Sequence, residues 1–250
     1  MKVFELYNKN NRRWVYFGRD RDKNKKIIDT NEYLIEIDGR GLLPDPGGLE
    51  VFPSFMAALS REIDLEKIDI LYGSHQDPDI ISSLALWMGV CKDALVYTPG
   101  IWMTFISHFA EDVELQPIGD KGQNIALGNS SDLQFIPAHY LHSSATFSLY
   151  DPVAKILLSG DIGAAILPDG HEEIFVTDFD YHVKYMKGFH RRWMPSNEAK
   201  LKWIERLRKL DVNMICPQHG SIFRDDDVKR FLDWFEGFEV AGALKDDEEE

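Results

Sequence analysis

Along the first part of the chain, apolar positions recur in short runs with polar residues between and around them, the pattern of strands. Trp14-Val15-Tyr16-Phe17 and Glu32-Tyr33-Leu34-Ile35-Glu36-Ile37 are rich in aromatic and β-branched residues. Charged segments and a turn at Asp38-Gly39 bound them. Leu42 to Gly48 reads as a Pro/Gly loop, Ser54 to about Ile63 as a helix, and Ile68 to Gly73 as a buried strand. Asp77 before Pro78 has the form of an N-cap with proline at the first helical position, where no amide hydrogen is needed. The helix is expected to run from Pro78 to about Val90, with Ile80, Leu84, Trp87 and Met88 on its apolar face. A short strand from Ala94 to Tyr97 and a helix from Thr104 to Phe109 follow.

Downstream, Leu133 to Pro137 reads as a strand. Thr146 to Tyr150 and Lys155 to Ser159 read as a strand pair around a turn at Asp151-Pro152. Tyr181 to Leu210 has helical spacing interrupted at Pro195. Val212 to Cys216 is a second buried strand, and Asp226 to Phe238 a last helix. The segments starting at Ile68 and Val212 share one plan of strand, loop and helix. Paired strands capped by helices predict an α+β sandwich of the αβ/βα kind.

Composition bounds the partners. The chain has 250 residues, 44% of them hydrophobic, enough for one large domain or at most two small ones. A net charge of −14 argues against nucleic acid, whose phosphates need basic patches. The tail Asp246-Asp247-Glu248-Glu249-Glu250 is expected to be solvated and frayed. Cys91 and Cys216 stand in apolar surroundings with no CxxC pairing, as buried free thiols of a reducing compartment. The N-terminus has no apolar stretch of signal length, and no window approaches ~18 apolar residues, so a cytoplasmic protein without membrane spans is expected.

The chemistry is concentrated in His75-Gln76-Asp77-Pro78-Asp79, where the strand from Ile68 should end. One imidazole and two carboxylates there suit a harder metal ion than nitrogen-rich zinc clusters do. His142, Asp161 and His219 each follow a strand-like run at or near its end, as His75 does, and ligands so placed converge on a sheet edge. Three imidazoles and three carboxylates are too many for one tetrahedral ion and suit two ions sharing a bridging carboxylate. Two divalent ions and one hydroxide would neutralise the carboxylates, which matters because buried net charge is costly. Iron or manganese fits, and zinc is not excluded. Each residue also has a plainer role: Asp77 as a helix cap, Asp79 as a charge complementing the helix dipole, Asp161 and His219 as turn residues. His139 competes with His142 and has a place beside the ligands. His108, His171, His182 and His190 show no ligand spacing and are expected at the surface or partly buried.

The motifs His75-Gln76-Asp77-Pro78-Asp79, Leu141-His142, Ser159-Gly160-Asp161 and Pro217-Gln218-His219-Gly220 occur in one order. That series resembles the di-iron branch of the metallo-β-lactamase fold, the flavodiiron proteins, which carry His-x-Glu-x-Asp, Leu-His, Ser-x-Asp and Pro-x-His-Gly. The stretch Ile215 to Arg224 is especially similar. Two departures stand out. Asp77 replaces glutamate, and Ile80 stands where histidine often follows the aspartate, which implies a more open position at one metal. No phosphate-cradling loop is visible, so neither FMN nor a flavodoxin domain is expected within these residues. The shorter oxygen-binding di-iron proteins, ODPs, are more similar still. The resemblance implies a single metallo-β-lactamase-like domain over residues 1–250, with two mixed β-sheets flanked by helices, and two iron ions bridged by oxo or hydroxo. His75, Asp77 and His142 would hold one iron, Asp79 and His219 the other, and Asp161 would bridge. It places Tyr181, Tyr185 and Phe189 near the metals, with Tyr185 a hydrogen-bond donor to dioxygen. It implies oxygen sensing or carriage linked to chemotaxis signalling, with a signalling partner and a homodimer. The alternative is a dioxygen or nitric oxide reductase taking electrons from a separate flavoprotein or rubredoxin. A zinc hydrolase is disfavoured, because such enzymes normally carry His-x-His-x-Asp-His.

Overall fold

The computed structural model describes residues 1–18, 27–108 and 114–242. The acidic tail and the expected helix end at Phe109 lie outside the described residues. The chain divides into two compact units, Met1–Phe135 and Ile136–Glu250.

In the first unit the aromatic and β-branched runs become strands β1 (Lys2–Lys9), β2 (Arg12–Gly18), β3 (Asn31–Ile37) and β4 (Arg40–Pro44). Helix α1 (Phe52–Leu59) follows, then β5 (Ile68–Tyr72), α2 (Pro78–Ile81), α3 (Leu84–Val90), β6 (Leu95–Pro99), α4 (Met103–Ile106) and β7 (Leu115–Ile118). The seven strands form one sheet in sequence order. β1 to β4 are antiparallel neighbours, whereas β4 to β7 run parallel. The turn residues Asn10 and Asn11 (φ 56° and 53°) and Asp38 and Gly39 (φ 52° and 76°) match the strand twist that a two-residue hairpin needs. β8 (Asn124–Leu127) and β9 (Ser130–Pro137) form an antiparallel hairpin.

Three expectations are corrected here. Leu42 to Pro44 are strand, not loop: Leu42, Leu43 and Pro44 pair in parallel with Ile70, Leu71 and Tyr72. Burial between neighbours outweighs turn composition, and Pro44 is tolerated as the last residue of the strand. The helix from Ser54 stops at Leu59, so Ile63 is buried outside it. The helix from Pro78 breaks in two because Ser83 turns its amide (3.4 Å) and hydroxyl (2.6 Å) to the Gly47 carbonyl. Such bonds compete with helix continuation. The expected apolar face survives the break: Ile80, Leu84 and Trp87 are buried. Phe55 lies 5.1 Å ring to ring from both Phe17 and Trp87, contacts of roughly 0.5–1.5 kcal/mol each beyond burial.

The second unit contains β10 (Phe147–Asp151), β11 (Ile156–Gly160), α5 (Phe179–Trp193), α6 (Asn197–Leu207), β12 (Met214–Pro217), β13 (Phe223–Arg224) and α7 (Asp226–Gly237). β11 pairs antiparallel with β10 and parallel with β12, and β12 pairs antiparallel with β13. At the turn before β11, Asp151 Oδ1 accepts from the amides of Val153 and Ala154 at 3.0 Å each. Asp178 caps α5 through the Tyr181 amide (3.0 Å), and Ser196 caps α6 through the Ala199 amide (3.1 Å). Pro195 separates these helices as expected. Met186, Trp203, Ile215, Phe231 and Phe235 fill the core between helices and strands. The protein therefore has two mixed sheets flanked by helices, an α+β fold. Among the described residues no helix is long and apolar enough to cross a membrane.

Candidate metal centre

In the first unit the site loop follows β5. Asp45 (φ 45°) takes the Tyr72 carbonyl on its amide (2.6 Å) and accepts the Ser74 amide on its carboxylate (2.7 Å). Ser74 Oγ in turn lies 2.9 Å from His75 Nδ1. His75 is fully buried, and this contact fixes the orientation of its ring. His75 Nε2 stands 3.7 Å from Asp77 Oδ2. Asp77 is the N-cap residue of α2, yet its side chain makes no capping bond. Its Oδ1 accepts instead from Gln76 Nε2 at 3.0 Å. The helix-cap role therefore does not account for this carboxylate. Asp79 sits half-buried in the first turn of α2.

In the second unit three expected residues meet. His142 lies in the loop after β9, Asp161 directly after β11, and His219 two residues beyond β12. His142 Nε2 is 2.8 Å from Asp161 Oδ2, and His219 Nε2 is 3.5 Å from Asp161 Oδ1. Each oxygen of one carboxylate thus faces a different imidazole. The Asp161 loop is tied down throughout. Ser159 Oγ donates to the Ile162 carbonyl (2.6 Å), Ala164 N–H to the Asp161 carbonyl (3.1 Å), and Ala165 N–H to the His219 carbonyl (3.2 Å). Gly220 follows His219 at φ +89°, where a Cβ would come within 2.8 Å of the Ala165 side chain.

Helix α5 walls these imidazoles. Tyr181, Tyr185, Phe189 and Trp193 recur every fourth residue and share a stripe of the helix. Trp193 lies 5.5 Å from the His142 ring, while Phe189 lies 6.5 Å from His142 and 6.2 Å from His219. The Tyr181 and Tyr185 hydroxyls are 3.1 Å apart. His139 packs its ring on Phe147 at 5.0 Å.

Two of the remaining histidines differ from expectation. His108 is exposed and His171 half-buried, but His182 and His190 are buried in the core behind α5. Both fall on the helix face that meets the core, and His190 has each ring nitrogen satisfied. Burial pushes the His190 pKa down to about 4. It likewise raises the Cys91 thiol to about 11 and the Cys216 thiol well above its usual value, as inert free thiols. Ser74, Asp45, Trp193 and His190 were not singled out as site residues. Only Trp193 carried a signal, the four-residue spacing of the stripe.

Two mixed sheets flanked by helices, with imidazoles and carboxylates in the loops that follow strand ends, define a metallo-β-lactamase-fold protein. A model of the ODP family beta lactamase matches residues 28–220, and the chain belongs to that family. It is similar to a chemotaxis sensor ODP solved as its peroxy di-iron species: 40% identity, TM-score 0.87, covering 98% of this chain and 99% of that one. The apo state of chemotaxis sensor ODP from T. denticola is 39% identical, with TM-score 0.88 and 98% of each chain covered. The anaerobic nitric oxide reductase flavorubredoxin of Aeromonas salmonicida is 25% identical over 251 residues, 94% of this chain and 48% of that protein. The chain spans about half the length of the curated relatives it matches.

Proposed function

We propose that this chain is a cytoplasmic non-haem di-iron protein that binds dioxygen as a sensor. The observation that carries the reading is Asp161, whose two oxygens face His142 and His219 separately, as a bridging carboxylate requires. The donor set fits iron, since carboxylates suit a harder ion and both His75 nitrogens have a use. His75, Asp77 and His142 would hold one iron and Asp79 and His219 the other, with Asp161 as the carboxylate they would share. When bound, a ferrous pair supplies the electron density that reversible dioxygen binding needs. Phe189 and Trp193 keep water from one side of the imidazoles. Tyr185, whose hydroxyl shares a hydrogen bond with Tyr181, would supply a donor for dioxygen. The buried free thiols agree with a reducing compartment. A signalling partner and a homodimer belong to the same reading.

A nitric oxide or dioxygen reductase supplied by a separate flavoprotein or rubredoxin is the second reading, favoured by the flavorubredoxin relatives at 25% identity. The greater identity to a chemotaxis sensor, 40% over nearly all of both chains, favours the first.

Metal analysis with anaerobic oxygen titration separates them. Two irons per chain are expected, with a visible band that forms in air and fades under argon. Rapid irreversible oxidation without a band, or zinc in place of iron, removes the sensor reading. Sustained oxygen or nitric oxide consumption with a reduced flavoprotein establishes the reductase.

A further inference from the structure

His190 is the most completely enclosed imidazole on α5. The rings of Phe231, Trp234 and Phe235 stand 6.3, 5.6 and 5.1 Å away. Its Nδ1–H donates to the Met186 carbonyl one turn back at 2.8 Å. Its Nε2 accepts the backbone N–H of Gly163 at 3.0 Å. These two bonds fix the neutral tautomer, and burial keeps the ring uncharged. Gly163 is held at φ +94°, where an added Cβ would come within 3.0 Å of the Phe223 ring. The loop from Ser159 to Ala165 is bonded at one end to its own strand and at the other to the His219 carbonyl. The His190 bond ties its middle to α5, the helix that lays Phe189 and Trp193 on the imidazoles. Just past the loop, the Ile166 amide donates to the Tyr185 carbonyl of the same helix at 3.1 Å.

We infer that His190 is a positioning residue for Asp161: through the Gly163 amide it sets the carboxylate between His142 and His219. The inference rests on the reading of Asp161 as a metal ligand. It adds that α5 and the carboxylate move as one body, so a displacement of the helix reaches the bridge without contact to the ligands themselves.

Two polar substitutions separate the bonds. In His190→Gln the amide oxygen reaches the place of Nε2 and keeps the Gly163 bond. In His190→Asn the shorter amide keeps the Met186 bond and loses Gly163. Two readouts are taken on the full chain: amide hydrogen exchange of residues 161–165 without metal, and anaerobic titration with ferrous iron. H190Q is expected to keep wild-type protection and two irons per chain. H190N is expected to lose loop protection and to bind iron roughly 10- to 100-fold more weakly, the usual effect of losing an outer partner of a ligand. Thermal midpoints follow overall fold. Equal exchange and equal iron affinity in the two variants would overturn the inference, as would weakening in both that merely tracks the midpoint. Should neither variant fold, the inference is overturned in favour of a purely structural His190. A wild-type chain that binds no iron, while the loop exchanges as expected, instead refutes the reading of the centre.

Discussion

Asp161 is the residue on which the proposed centre turns. Its carboxylate meets two imidazoles on separate oxygens, at 2.8 and 3.5 Å. Asp161→Ala is therefore expected to abolish loading of two metals and to weaken binding by more than about 100-fold, the upper end of what losing an outer partner costs. Metal content after anaerobic reconstitution checks this, and two tightly held ions in the variant would remove the bridge. Tyr185→Phe deletes one neutral hydrogen bond, worth about 1 kcal/mol. Dioxygen is then expected to leave about fivefold faster by stopped-flow absorbance, and an unchanged rate would return Tyr185 to packing. Asp161 could be picked out because a ligand set is a matter of residue type and order, which the chain carries openly, whereas Tyr185 came only with the family resemblance. Ser74 and His190 were not legible, because a serine or a lone histidine acquires its role from a partner: Ser74 from the ring that it orients, His190 from an amide 27 positions away.

At the scale of elements, strand ends and glycine turns place the candidate ligands. Gly220 shows how tightly. Its φ of +89° disfavours any side chain, and a Cβ would press on Ala165, whose amide holds the His219 carbonyl. Gly220→Ala is expected to cost roughly 1–3 kcal/mol of stability, read from the urea midpoint, and to weaken metal binding as well. A variant with wild-type stability and affinity would mean that the turn relaxes freely. Elements with a strong local period were readable: β2, β3, β5, and α5 and α6 broken at Pro195. β1 was missed because it is an exposed edge strand and so shows no burial pattern. The end of β4 was mistaken for loop, since Pro and Gly dominate its neighbourhood while parallel pairing decides its state. The split between α2 and α3 depends on the Gly47 carbonyl, far away in sequence.

For the molecule as a whole, His190 links stability to acidity. Its folded pKa is about 4 against an unfolded value of 6.5. Below pH 6.5 the unfolded chain takes up a proton that the folded chain refuses, so stability falls as pH drops from 6.5 to about 4. The loss is on the order of 3 kcal/mol, and His190→Gln is expected to lack it. Urea unfolding of the metal-free protein at pH 7 and near pH 4.5 measures the difference between the two chains. Identical pH slopes would show that burial does not hold this ring neutral. The sequence by itself determined the donor types, their order, their places after strands, and the family to which they point. The donor types and their places after strands follow from residue type, period and turn chemistry, which are local, while the family rests on the resemblance of the four motifs. Only the tertiary structure decided that Asp161 offers one oxygen to each of two imidazoles, that Ser74 orients His75, and that His190 lies in the core bonded to the loop after Asp161. The first and last depend on groups distant in sequence coming together, and Ser74, though next to His75, is itself held by the Asp45 carboxylate from a distant part of the chain; no local pattern encodes such meetings.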